Sequence, residues 1–173
     1  MKRGKQIVMP FKVGDRVAHP EHGLGQIVRL AQQQFPGSPA QLYYEVVTAK
    51  STLWISQETA ATCLRPVITG DELPHYRSVL LSPPGMLDPD RRQRQLEVAQ
   101  RLKEGSFRAL CEVVRDLTAQ SWRKALNEGD SLSLRKARES LCQEWAAAAA
   151  ISVSEASREI EALCAEGRQR YQR

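Results

Sequence analysis

The chain is predicted to be an α+β protein of two parts, a small antiparallel β-barrel followed by an all-α helical bundle. Three observations lead there. Between Phe11 and about Pro66, short runs rich in Val, Ile, Leu and Tyr alternate with turns bearing Gly and Pro. After Ile68 the β-formers thin out and apolar residues recur at helical spacing. A length of 173 residues with 42% apolar composition suffices for one or two cores, and the change of texture near residue 68 divides them.

The first ten residues, opening MKRGKQIVM, lack the apolar stretch of a signal peptide and read as a disordered basic tail, with Met9 as an alternative start. Strands are then expected over residues 16–19, 26–31, 42–48 and 52–56. His19-Pro20-Glu21-His22-Gly23 forms the first turn, where Gly23 and Gly25 take conformations that other residues resist. Phe35-Pro36-Gly37-Ser38-Pro39 tips the second hairpin, and Ala49-Lys50-Ser51 closes the third. Consecutive strands with short loops predict a meander, and so small a set curls into a barrel to protect its edges.

A short helix follows over residues 70–81, stopped by Ser82-Pro83-Pro84-Gly85, which is the best linker in the chain. Asp88 is placed to cap the next helix, with Pro89 at its first position and Gly105 at its end. Ser106 caps another, in which Phe107, Leu110, Cys111, Val114 and Leu117 share a face. Asp130 or Ser131 opens a third, with Leu134, Ala137, Leu141, Trp145 and Ala148 on one side. Ser152 and Glu155 make a capping box for the last, stapled by Ile151 and Ala156. The expected organisation is thus a tail over 1–10, a barrel over 11–68, a short helix and linker over 69–86, a helical domain over 87–167 and a basic tail over 168–173.

A net charge of +5 favours a polyanionic partner. The four cysteines, Cys63, Cys111, Cys142 and Cys164, lie far apart without CxxC spacing, which fits a reduced, cytoplasmic protein; three of them fall on apolar helical stripes. No run is long enough to span a membrane. His19, His22 and His75 have no carboxylate or thiolate at ligand spacing, so no metal is expected. GxSxG, HExxH, GxxxxGK[ST] and GxGxxG are all absent, so neither an enzyme nor a cofactor is expected.

Among binding candidates, Trp54 stands out. If Leu53 and Ile55 point to the core, Trp54 points outward and offers an anchor; in the reversed phase it plugs the barrel. Phe35 sits at a hairpin tip amid Gln32, Gln33 and Gln34. Arg91, Arg94 and Arg101 fall on one helical face, with Arg92, Lys103 and Arg108 nearby, and suit salt-sensitive phosphate contacts; Glu97 and Glu104 dilute the charge. Trp122 and Trp145 read as bundle core. Without a helix-turn-helix, zinc-finger or basic-zipper signature, direct base reading is not expected.

Phe11, Val13-Gly14-Asp15, Val17, His22-Gly23 and Gly25, set ahead of an apolar run, resemble the start of the RNA-polymerase-interacting domain of the CarD/CdnL transcription regulators, a domain shared with transcription-repair coupling factors. Glu112-Val113-Val114-Arg115-Asp116-Leu117 and Arg135-Lys136-Ala137-Arg138 are similar to segments of that family's C-terminal helical domain, in the same order. The absent Walker motif excludes the full repair-coupling ATPase. The resemblance implies a bacterial, cytoplasmic, nucleoid-associated monomer whose Tudor-like (SH3-like) barrel adds a strand to the polymerase β subunit. It turns Trp54 outward and implies polymerase contact by Trp54, Phe35 and Gln33. It further implies that the helical domain holds promoter DNA at the upstream fork by sequence-independent phosphate and minor-groove contacts from Arg91, Arg92, Arg94, Arg101, Arg108 and Lys136, stabilising the open complex.

In the family a tryptophan wedges into the DNA there. Its place falls near Arg91, and no Trp stands between Leu81 and Phe107, which leaves Met86 or Leu87 as a smaller wedge. The alternatives are a polymerase-binding adaptor whose helices bind another protein, and a small RNA-binding module.

Overall fold

Alternating β-branched and aromatic residues shape the first half of the chain. In the computed structural model, which describes residues 10–172, β1 (Arg16–His19), β2 (Gly23–Gln33), β3 (Gln41–Thr48) and β4 (Thr52–Ser56) form an antiparallel meander. A two-residue β5 (Arg65–Pro66) returns to β1, giving the order β4-β3-β2-β1-β5 with β4 and β5 at the edges. The barrel is therefore open at the β4–β5 seam, where the helical turn α1 (Ala60–Cys63) carries the chain across. Phe11, Val17, Ile27, Tyr44, Val46 and Ile55 form the core, and Ala60 and Leu64 complete it from the α1 side. The Tyr44 hydroxyl, sealed from solvent, donates to the Phe11 carbonyl at 3.0 Å. The four longer strands cover the runs expected from the sequence, with β2 extending beyond 26–31 at both ends. β5 and α1 are too short to carry a period, so the sequence reading passed over both.

β2 does not keep a simple alternation. Its register against β3 shifts between Ile27 and Arg29, so Val28 is an extra residue. Ile27 faces the core opposite Val46, whereas Arg29 stands on the outer face opposite Glu45.

Helix signals in the second half are read from local chemistry. A 3₁₀ turn (Gly70–Glu72) under a Thr69–Glu72 capping box leads into α2 (Leu73–Leu81). Then come α3 (Arg91–Glu104), α4 (Phe107–Arg123), α5 (Glu128–Ala149) and α6 (Val153–Tyr171). Ser106 caps α4 through the Ala109 N–H, the Ser152–Glu155 box opens α6, and Gly105, at φ +73°, ends α3.

Two starts differ from expectation. Asp90, not Asp88, caps α3 through the Gln93 N–H at 2.9 Å, because the Asp88 carboxylate already turns the chain by accepting the Asp90 N–H at 2.7 Å. Asn127, not Asp130 or Ser131, caps α5, and Asp130 is buried in its first turn. The basic tail expected over 168–173 is helical through Tyr171, as the last turn of α6. The tail expected over 1–10 lies, apart from Pro10, outside the described residues.

The chain divides into two compact units between Pro66 and Val67. Ile68 already belongs to the helical core, and its N–H donates to the buried Glu144 carboxylate at 3.1 Å. Leu73, Val79 and Leu80 of α2 pack in the same core around Trp145, Leu117, Leu141 and Ile160. Ser82-Pro83-Pro84-Gly85 is consequently a turn inside the helical unit and does not link the units. Burial of α2 against α4 and α6, which Pro/Gly content alone does not reveal, decides this.

Candidate functional site

Strand register assembles the first candidate surface. The row Arg29, Glu45, Trp54 crosses β2, β3 and β4 on the face away from the core. Leu53 and Ile55 pack inward, so Trp54 takes the outward phase. Arg29 Nε donates to Glu45 Oε2 at 2.8 Å, and its guanidinium carbon lies 5.3 Å from the centre of the half-buried Trp54 ring. One row on stands Tyr43, opposite Ala31 and Ser56, with the Phe35 ring meeting it edge-on at 4.9 Å. Gln33 pairs with Gln41, which donates to the Tyr43 hydroxyl at 2.8 Å. Trp54, Phe35 and Gln33 thus share one outer face, which also carries the exposed Val47. β4 is an edge strand whose free side has no strand partner among the described residues.

In the helical unit the expected basic face separates into two sets. Arg91 and Arg92 are exposed at the start of α3. Arg94 is not: its guanidinium makes a 2.9 Å pair with Asp130, and both side chains are largely buried. Arg101 reaches the buried Asp116 at 3.1 Å while its side chain stays 37% exposed. The face carrying Arg94 and Arg101 therefore turns into the bundle, because Asp116 and Asp130 each need a cationic partner there. Arg108 is exposed but paired with Glu112 at 2.8 Å, and Lys136 is exposed on α5. Met86 is 97% exposed, whereas Leu87 packs against the core, so only Met86 projects outward.

Leu96, 66% exposed, was passed over by the sequence reading. It follows Arg92 by one helical turn, and this i, i+4 relation was the available signal. Met86, Arg91, Arg92, Leu96 and Lys103 are all exposed on or just before α3. Arg29 and Glu45 were also passed over, since the bulge at Val28 moves Arg29 to the face opposite the one simple alternation gives it.

Other polar groups serve the fold. Trp145 is sealed from solvent and donates to Glu159 at 3.1 Å, and the half-buried Trp122 lies under Arg168 at 4.8 Å. Burial raises the Cys164 thiol to about 11, and it also pushes Cys111 and Cys142 up, so these are inert apolar fillers. Among the described residues no cluster of His, Cys, Asp or Glu could hold a metal ion, and no helix is long and apolar enough to cross a membrane.

Two family models match the chain. The one described as the CarD-like/TRCF RID domain matches residues 11–68, and the CarD C-terminal domain matches residues 78–161. YdeB of Bacillus subtilis (strain 168), described as a candidate transcription factor, is 28% identical over 141 residues, which cover 78% of this chain and 89% of YdeB.

Proposed function

Since the chain belongs to the CarD/CdnL family of transcription regulators and carries both of its domains in order, we propose that it binds the RNA polymerase β subunit through its sheet and promoter DNA at the upstream fork through its helical unit. The observation that carries this reading is Trp54 on an unpaired edge strand, beside Phe35, Tyr43 and Gln33 on one outer face. An open edge supplies main-chain hydrogen bonds to an added strand, and the outward aromatics supply specificity. The DNA surface of this reading is Arg91, Arg92 and Lys103 around the exposed Met86 and Leu96, with Lys136 on α5 and Arg108 as half of an ion pair. Arginines contact phosphates without reading sequence, and the Met86 side chain is an aliphatic substitute for the family's tryptophan wedge.

Bridging two weak contacts by one chain raises the effective concentration of the second. A coupling of about 1–3 kcal/mol changes open-complex occupancy several-fold to about a hundredfold. The protein on this reading is a cytoplasmic monomer without catalytic activity.

Open-complex lifetime on a linear promoter at two salt concentrations tests it. Wild type is expected to lengthen the lifetime, and Trp54→Ala and the Arg91→Ala/Arg92→Ala pair each to lose the effect. A chain that binds polymerase through Trp54 yet leaves the lifetime unchanged is an adaptor whose helices serve another protein.

A further inference from the structure

The connection between α2 and α3, residues 82–90, holds the 97% exposed Met86 and is nevertheless tied down at both ends. At the first end the buried Asp116 of α4 accepts the Gly85 N–H at 2.8 Å. The same carboxylate takes Arg101 at 3.1 Å and Arg115 at 2.8 Å, and Arg115 also donates to Ser82 Oγ at 2.6 Å and to the Val79 carbonyl at 3.2 Å. At the second end the buried Asp130 of α5 takes Arg94 Nε at 2.9 Å, and Arg94 Nη1 donates to the carbonyls of Asp88 at 2.8 Å and Pro89 at 3.3 Å. Leu87 packs on the core between the two anchors, and Pro83, Pro84 and Pro89 narrow the backbone further.

Two buried carboxylates are an expensive way to fix a turn, since their desolvation is offset only by complete pairing. A polar loop would join the helices equally well without exposing a methionine. What the arrangement achieves is presentation: the exposed groups are ordered before any partner arrives, so binding does not bear that entropy. We propose that Asp116 and Asp130 are positioning residues that hold residues 82–90 in one conformation, so that Met86 and the Arg91–Arg92 pair meet DNA as one preset surface. This rests on the DNA-facing reading above.

The test uses the full chain with Gly85→Ala and Asp130→Asn, neither of which removes an exposed group. A Cβ at Gly85 would stand 3.0 Å from Asp116 Oδ2, so Gly85→Ala presses on the first anchor with a single methyl. Amide exchange over residues 82–94 and affinity for a forked duplex across a salt series are both measured, with thermal unfolding to verify the fold. Each variant is expected to exchange over 82–90 at least about tenfold faster. Each should also lose about one to two units of salt slope although every proposed phosphate contact is still present. Arg91→Ala/Arg92→Ala should lower the slope and leave exchange alone. Unchanged exchange overturns the anchoring, and faster exchange with an unchanged slope overturns the positioning role. If wild type does not bind the fork, the DNA reading fails and positioning falls with it, while the exchange result still decides the anchors.

Discussion

The guanidinium of Arg29 lies over the ring of Trp54, 5.3 Å from its centre, and is held there by a 2.8 Å bond to Glu45. Three strands each contribute one residue to this row, and Trp54 is its outermost member, on the free edge of the sheet. An aromatic fixed before docking loses less rotamer freedom on binding. Trp54→Ala is expected to weaken binding to a polymerase β fragment by about 2 kcal/mol or more, the scale of a hot spot. Glu45→Ala, which releases Arg29, should cost about 0.5–1 kcal/mol of the same affinity. Glu45→Ala should shift unfolding free energy by only about 0.5 kcal/mol, whereas Trp54→Ala, which truncates a half-buried ring, should cost more than that. Calorimetric titration with the fragment checks the order; an equal loss from Glu45→Ala and Trp54→Ala would mean that Glu45 itself touches the partner.

Arg94 and Asp130 form a buried ion pair inside the helical unit, so breaking it should have a large effect on stability. Asp130→Ala leaves the Arg94 guanidinium buried without its partner and is expected to cost about 3–5 kcal/mol. Arg91→Ala and Arg92→Ala, on the exposed start of the same helix, should stay within about 0.5 kcal/mol. Urea unfolding of the full chain separates the two classes. A small effect from Asp130→Ala would return Arg94 to the solvent-facing set.

Legibility follows from how local each signal is. Ser106, Gly105 and the Ser152–Glu155 box were readable because capping is settled within one turn of the chain. Asn127 was not, since Gly129 looks like a break although it lies within the first turn of α5. Helical phase correctly groups Arg94 with Arg101, but it does not say which face meets the bundle. That answer comes from Asp116 and Asp130, 15 and 36 residues further along the chain than their arginine partners. The outward phase of Trp54 was one of two readings left by alternation, whereas Arg29 was hidden by the single extra residue at Val28. Leu96 is apolar yet turned to solvent, and only its place one turn from Arg92 ties it to the proposed surface.

His19 gives the first turn a pH dependence. Its Nδ1 accepts the N–H groups of Glu21 at 3.1 Å and His22 at 3.3 Å, so the neutral ring carries its proton on Nε2. Burial, followed by the His22 ring 4.7 Å away, holds its pKa below 6.5, and Glu21 only partly opposes them. The unfolded chain then takes up the proton first as pH falls. Neutral His19 contributes stability above 6.5 that is lost progressively as pH drops through the lower folded-state value. His19→Asn keeps a side-chain acceptor for the turn and removes the titration. Thermal unfolding between about pH 7.5 and 5 should show a larger loss for wild type than for His19→Asn, and parallel curves would show that another group governs the acid side.

The two glycines after His22 act for different reasons, and substitution should tell them apart. Gly23 holds φ +75°, so Gly23→Ala meets the left-handed penalty of about 1–2 kcal/mol whatever surrounds it. Gly25 has an ordinary backbone but lies against β3, where a Cβ would fall 2.8 Å from Val46 Cγ1 and 3.1 Å from the Val47 carbonyl. Gly25→Ala is therefore an overpacking change, expected to cost about 1–3 kcal/mol. Shortening Val46, its nearest obstacle, should relieve part of that cost, while the same change leaves the strain at Gly23 untouched. In double-mutant cycles with Val46→Ala, a coupling of about 0.5 kcal/mol or more is expected for Gly25→Ala and none for Gly23→Ala. Were both pairs additive, the close approach of β2 to β3 at Gly25 would not be what requires glycine there.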